Sequence, residues 1–159
     1  MATTVSRTRS TVRLVSKPQT VSAARAHVRR FCERVGFESD DPVRVTSELA
    51  SNAVEHAGDY GDYEVSASLH GRMLWVEVLD HLPCSLPSPV EVLEDAETGR
   101  GLLVVAALTQ RFRVELRSGG RKAVCAGFEE DFGEDYGDEY GADFEDDLGD
   151  DAGDDFEAV

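Results

Sequence analysis

The chain has 159 residues, enough for one domain with a substantial core and too few for two ordinary ones. Its formal net charge of -16 is concentrated at one end, because residues 129–159 hold 16 of the 32 acidic residues and no Lys or Arg. Residues 1–128 are neutral on balance, and no segment approaches the 18 consecutive apolar residues of a membrane-spanning helix.

The first half of the chain predicts a strand followed by two helices. Residues 1–10 are rich in Ser, Thr and Arg and are predicted to form a loose arm, without the apolar run of a signal peptide. Residues 11–15 alternate as a short strand does. Apolar residues at helical spacing follow from Val21, and Gly36 ends that helix. A second helix is predicted to have Asp41 as its N-cap, with Pro42 at its first position, and to stop at Gly58.

The second half predicts two hairpins around one helix. Three prolines within residues 81–98 exclude regular structure there, and a loop of this length inside a compact domain is typically functional or disordered. The remaining predicted elements are strands at 63–70, 73–79, 112–116 and 123–128 and an apolar helix at 102–108. This order of strands and helices predicts an α+β two-layer sandwich.

The tail is built from acidic tetrads that each carry one aromatic or small apolar residue. Like charges repel at helical spacing and glycine weakens a helix, so residues 129–159 are predicted to be disordered. Acidic residues interleaved with aromatics could mimic nucleic acid on a basic surface. The alternative, which we favour, is a solubilising extension.

A row of polar residues lies on the second predicted helix. Glu48, Asn52 and His56 are spaced four apart, which places them on one side of a helix that is otherwise small or apolar. Asn52 offers a neutral oxygen to a hard cation such as Mg²⁺, and Glu48 could accept a proton from an attacking hydroxyl. Taken alone, the spacing of Glu48 and Asn52 favours an ordinary exposed polar face, and His56 fits an ordinary residue near a helix end.

Two features later in the chain could also contribute to a ligand-binding site. Asp80 ends a buried strand, where its carboxylate could accept a hydrogen bond from an exocyclic amine such as that of adenine, although it could also be an ordinary strand-ending residue. Gly99-Arg100-Gly101 begins a helix, where free N–H groups and the helix dipole bind phosphate. Arg100 would add charge to that contact, and the alternative is a hinge before the helix.

In this order the motifs resemble the GHKL ATPase superfamily, which includes gyrase, histidine kinases and MutL. The chain is most similar to the bacterial anti-sigma-factor serine kinases of that superfamily, over about residues 11–128. Residues 48–56 match the N box of the family, Asp80 matches its adenine-binding Asp, and Gly99, Arg100, Gly101 and Leu102 match its later glycine box.

The resemblance implies a fold, two cofactors and a set of roles. The fold would be of the Bergerat type, with a mixed sheet, helices on one face and ATP under a lid. Asn52 would bind Mg²⁺, Glu48 would be the general base, Asp80 would bind adenine, and the glycine box from Gly99 to Leu102 would contact ATP. The partners would be a sigma factor and a STAS-domain anti-anti-sigma protein, and relatives suggest a homodimer.

Three departures from the family pattern favour a second hypothesis. The family's Asp-x-Gly-x-Gly is here Asp80-His81-Leu82-Pro83-Cys84, so both glycines are absent, and prolines stiffen the loop that would be the lid. The Thr that many members carry near the adenine-binding Asp corresponds to Ala123. The alternative function is therefore a nucleotide-dependent protein-binding module that is catalytically weak or inactive. A histidine-kinase fragment is disfavoured, because no helix pair carries a phosphorylatable His.

The remaining expectations concern compartment and domain limits. Cys32, Cys84 and Cys125 lack metal-ligand spacing and are expected to be reduced thiols of a cytoplasmic protein. We expect no membrane contact and no direct contact with nucleic acid. The expected organisation is a flexible arm at 1–10, an ATP-binding domain at 11–128 and an acidic tail at 129–159.

Overall fold

A computed structural model describes residues 8–81 and 99–130, except for the side chains of Tyr60, Arg100 and Leu102. The predicted order of strands and helices is confirmed. Most of the predicted arm, and almost all of the 81–98 loop and the acidic tail, lie outside the described residues. The described elements are β1 (Thr8–Leu14), α1 (Val21–Val35), α2 (Asp40–Ala57), β2 (Tyr63–His70), β3 (Met73–Asp80), α3 (Gly99–Leu108), β4 (Arg111–Arg117) and β5 (Arg121–Glu129).

Helix α2 begins one residue before the predicted N-cap. Its N-cap is Ser39, whose side chain makes no capping hydrogen bond. The Glu38 carboxylate instead accepts hydrogen bonds from the backbone N–H groups of Ser39 at 2.9 Å and Asp40 at 3.3 Å. Asp41 therefore lies inside the first turn, where its negative charge is favourable beside the helix N-terminus. The prediction of Asp41 as N-cap was wrong because Glu38 supplies the capping oxygen from outside the helix.

The five described strands form one sheet in the order β1-β2-β3-β5-β4. All four pairings are antiparallel, so the mixed sheet that the resemblance implied is not present among these strands. The reason is that β3 and β4, which run in the same direction, are separated by β5, which pairs antiparallel with both. The α+β two-layer sandwich itself is confirmed.

The helices cover one face of this sheet. Strand residues that alternate with a period of two, such as Val65, Val76 and Ala126, point to α1 and α2 and are fully buried. Helix α2 contributes Leu49 and Ala53 to the same core, and α3 contributes Val105. No helix within the described residues is long and apolar enough to cross a membrane.

The opposite face of the sheet, here called the open face, carries charged and aromatic side chains. It includes Arg9, Trp75, Glu77, Arg113, Arg117, Ala123 and Cys125. Glu77 lies at its centre, 3.3 Å from the Arg9 guanidinium and 2.9 Å from that of Arg117. Beside them, burial and the Glu77 charge raise the pKa of the Cys125 thiol to about 12, so the thiol is neutral at physiological pH.

The location of the core can be tested by substituting one buried and one exposed leucine of the helices. Leu49 on α2 is 3% exposed and Leu103 on α3 is 58% exposed. We expect Leu49→Ala to lower the free energy of unfolding by about 2–5 kcal/mol, since it removes buried methyl groups and leaves a cavity. The matched Leu103→Ala variant should change it by less than about 0.5 kcal/mol. Urea denaturation followed by circular dichroism measures both, and equal losses would contradict the burial described here.

Candidate functional site

The polar row predicted on α2 lies at the edge of its buried side. Glu48 and Asn52 are half-buried, and His56, in the last turn, is exposed. Leu49 directly follows Glu48, and Ala53 directly follows Asn52. Both Leu49 and Ala53 are buried against the sheet. The row therefore passes from the interior toward solvent along the helix, with the carboxylate of Glu48 at its inner end.

The carboxylate of Glu48 lies against the first turn of α3. A Cβ atom added to Gly101 would lie 2.6 Å from Glu48 Oε2, which is closer than any side chain tolerates without movement. A side chain at position 101 would therefore require the Glu48 carboxylate, the end of a flexible side chain, to move. A negative charge beside a helix N-terminus is also electrostatically favourable. The structure brings together the N-box carboxylate and the glycine box, which are separated by about fifty residues of sequence.

The other members of the glycine box are placed by their backbone alone. Gly99 and Arg100 form the first turn of α3 with Gly101, as the sequence predicted for a helix start. The side chains of Arg100 and Leu102 lie outside the described residues. The geometry therefore locates the N-terminus of α3 beside Glu48, and the predicted contact of Arg100 with phosphate stays a prediction.

Asp80 is the last residue of β3 and is 4% exposed. Its side chain shares the helix-facing side of the strand with Val76 and Val78, because alternate residues of a strand point to the same side. The ammonium of Lys122 lies 3.5 Å from Asp80 Oδ2. The prediction that Asp80 ends a buried strand is confirmed, whereas the pairing with Lys122 was not predicted.

The residue paired with Asp80 across the sheet is Lys122, not Ala123. The register pairs Ala123 with Leu79, and both point to the open face. Ala123 therefore lies on the opposite side of the sheet from Asp80. Strand alternation could have revealed this, since Lys122 is in phase with Val124 and Ala126 on the helix-facing side.

The chain just beyond Asp80 is fixed by a contact that sequence reasoning also missed. His81 packs on Gly61, so that a Cβ added to Gly61 would lie 3.3 Å from His81 Cδ2. Gly61 has φ 135° and ψ -168°, a conformation that L-residues with side chains rarely adopt. The Ser16 hydroxyl donates a hydrogen bond of 2.6 Å to the Gly61 carbonyl. The first contact joins the residue after β3 to the turn that follows α2, and the hydrogen bond joins the segment after β1 to the same turn.

Comparison with known proteins agrees with the fold. Residues 14–127 match the family of the histidine kinase-like ATPase domain, and the chain belongs to this family. Among curated proteins, none matches the chain. The fold is similar to a crystal structure of the RsbU and RsbW domains of Rv1364c from Mycobacterium tuberculosis, with a TM-score of 0.57 and 22% sequence identity. The match covers 77% of this chain and 32% of that one, so the chain spans about a third of the other protein's length.

The contact between Glu48 and Gly101 predicts an energetic coupling. Gly101→Ala alone should gain little stability, because its methyl group displaces the Glu48 carboxylate. In a Glu48→Ala background the same change should stabilise by up to about 1 kcal/mol, the helix-propensity difference between Ala and Gly. A double-mutant cycle from urea denaturation should therefore give an interaction energy of about 0.5–1 kcal/mol. Additive effects of the two substitutions would refute the contact.

Proposed function

We propose that the chain is an ATP-binding regulatory protein that phosphorylates a STAS-type anti-anti-sigma partner and sequesters a sigma factor. The observation that carries the proposal is the approach of Glu48 to Gly101, which brings the N-box helix to the start of the glycine-box helix. The histidine kinase-like ATPase family supports ATP binding. The resemblance of the motifs to those of anti-sigma-factor serine kinases supports the choice of partners and the possible homodimer.

The described residues suit a site for ATP and Mg²⁺. Asn52 is half-buried, and within the described part of the chain its side chain makes no hydrogen bond, so its amide oxygen can serve a ligand. Mg²⁺ typically takes one or two protein oxygens and completes its shell with substrate phosphates and water. Asn52 would hold the ion, and the N-terminus of α3 would receive the phosphates. When bound, Mg²⁺ would neutralise charge on the phosphates during transfer.

Glu48 and Asp80 complete the proposed roles. Glu48 would accept the proton of the attacking serine or threonine hydroxyl, and it would lie near phosphates bound at the N-terminus of α3. Asp80 would accept a hydrogen bond from the amino group of adenine. It lies on the sheet face that α2 covers, so the base and the phosphates would occupy the same layer of the molecule.

The second candidate function is a nucleotide-dependent binding module that does not transfer phosphate. It is favoured by the packing of His81 on Gly61 and by Leu82, the next residue, which stands where the family pattern has its first glycine. A chain fixed directly after Asp80 has less freedom to open and close over a bound nucleotide. The two candidates share the nucleotide site and differ in whether Glu48 acts as a base.

A kinase assay separates the two candidates. The protein is incubated with labelled ATP, Mg²⁺ and candidate STAS-domain proteins, beside Glu48→Ala and the matched control Glu55→Ala. Glu55 lies on the same helix but is exposed. Loss of a general base typically costs 10²- to 10⁴-fold, so Glu48→Ala should lose transfer by that factor while Glu55→Ala keeps it. Equal activity of wild type and Glu48→Ala would leave the binding module as the function.

Nucleotide binding is measured separately from transfer. At 100 times its dissociation constant, ATP should stabilise the folded protein by about 2.7 kcal/mol, seen as a rise in the unfolding temperature. In Asn52→Ala, Mg²⁺ should no longer add to the stabilisation that ATP gives alone. If ATP, ADP and Mg²⁺ do not change the unfolding temperature of the wild-type protein, both candidate functions are contradicted.

A further inference from the structure

Lys122, which pairs with Asp80, is an unusual residue for its position on β5. On the helix-facing side of β5, Lys122 is followed by Val124, Ala126 and Phe128, which are all apolar. A lysine in this series would be expected to extend into solvent, yet its side chain is only 16% exposed. An ammonium that is largely shielded from water is favoured when it has a charged or hydrogen-bonding partner.

Asp80 provides that partner through the register of the sheet. The two residues are directly opposite on β3 and β5, so their side chains leave the sheet on the same side. Lys122 Nζ lies 3.5 Å from Asp80 Oδ2, and the Asp80 side chain is 5% exposed. At this burial the attraction is weakly screened by water, so the pair is held more firmly than a surface ion pair.

The chemistry of the pair conflicts with the role proposed for Asp80. A carboxylate that reads adenine must accept a hydrogen bond from the neutral 6-amino group of the base. The ammonium of Lys122 forms an ion pair with the same carboxylate, and its full charge makes this attraction stronger than that of a neutral amino group. An adenine base therefore has to share or displace Lys122 before it gains from Asp80.

We propose that Lys122 is a specificity-determining residue of the nucleotide site and acts as an internal competitor for the Asp80 carboxylate. It weakens the preference of the site for purines that carry a 6-amino group. The inference rests on the proposed function, since it requires that a nucleotide binds with its base at Asp80. It predicts that the chain, as it stands, discriminates poorly between ATP and its 6-oxo analogue ITP.

The test compares dissociation constants of ATP and ITP, by calorimetry, in wild type and Lys122→Met. The readout is the dissociation constant of ITP divided by that of ATP. The loss of a positive charge affects the binding of both triphosphates equally and therefore cancels in this ratio. We expect this ratio to rise about tenfold in Lys122→Met, equivalent to about 1.4 kcal/mol of added discrimination. Lys122→Arg keeps a cation and should leave the ratio unchanged.

A double variant shows whether the effect passes through Asp80. Adding Asp80→Asn to Lys122→Met should cancel the rise in the ratio, which a purely structural role of Lys122 would not predict. If Lys122→Met does not fold, Lys122→Gln, whose neutral amide is a weaker donor to Asp80, should raise the ratio in the same direction.

The outcomes separate this inference from the proposed function. An unchanged or lower ratio in a Lys122→Met or Lys122→Gln protein that binds ATP would overturn the competition and leave the nucleotide site intact. Failure of ATP and ITP to bind wild type and every Lys122 variant would overturn the proposed function, and the competition with it.

Discussion

Helix α2 has to pack on the sheet and present a polar row at the same time, and the rest of the site depends on that constraint. Its buried side, with Leu49 and Ala53, fixes the rotation of the helix about its axis. A turn of about 100°, the angle of one residue, would expose these side chains. Because the core holds this rotation, Glu48 is directed at α3 and Asn52 stays at the edge of the interior.

Strand register imposes the second constraint on the site. Alternate residues of β3 and β5 face opposite sides, so a slip of one residue would move Asp80 to the open face. The buried apolar residues on the helix-facing side of both strands, such as Val76, Val78 and Ala126, prevent that slip, since they would move to the open face together. The position of Asp80 is therefore determined by the packing of the core, and the same register sets Lys122 opposite it.

Local patterns in the sequence predicted most elements of the fold, whereas contacts between distant segments could not be derived from them. Helical spacing gave α1 and α2, alternation gave β2 and β3 almost to the residue, and Gly36 ends α1 with a φ of 72°. The antiparallel pairing of all the described strands was not predicted. The residues of β3 and β4 do not indicate that β5 lies between them. The contact between Glu48 and Gly101 could not be derived either, because spacing within each helix carries no information about how the two helices pack.

Trp75 is the single tryptophan of the chain, and it lies on the open face, away from the helix layer. Its ring lies 3.1 Å from where a Cβ of Gly127 would be, and the guanidinium of Arg113 is 4.4 Å from its centre. Its intrinsic fluorescence therefore reports the side of the sheet that faces away from Asp80 and the helices. A change in emission on adding nucleotide would mean that the sheet transmits binding to its far side, and quenching without nucleotide would reveal a molecule docked on the open face.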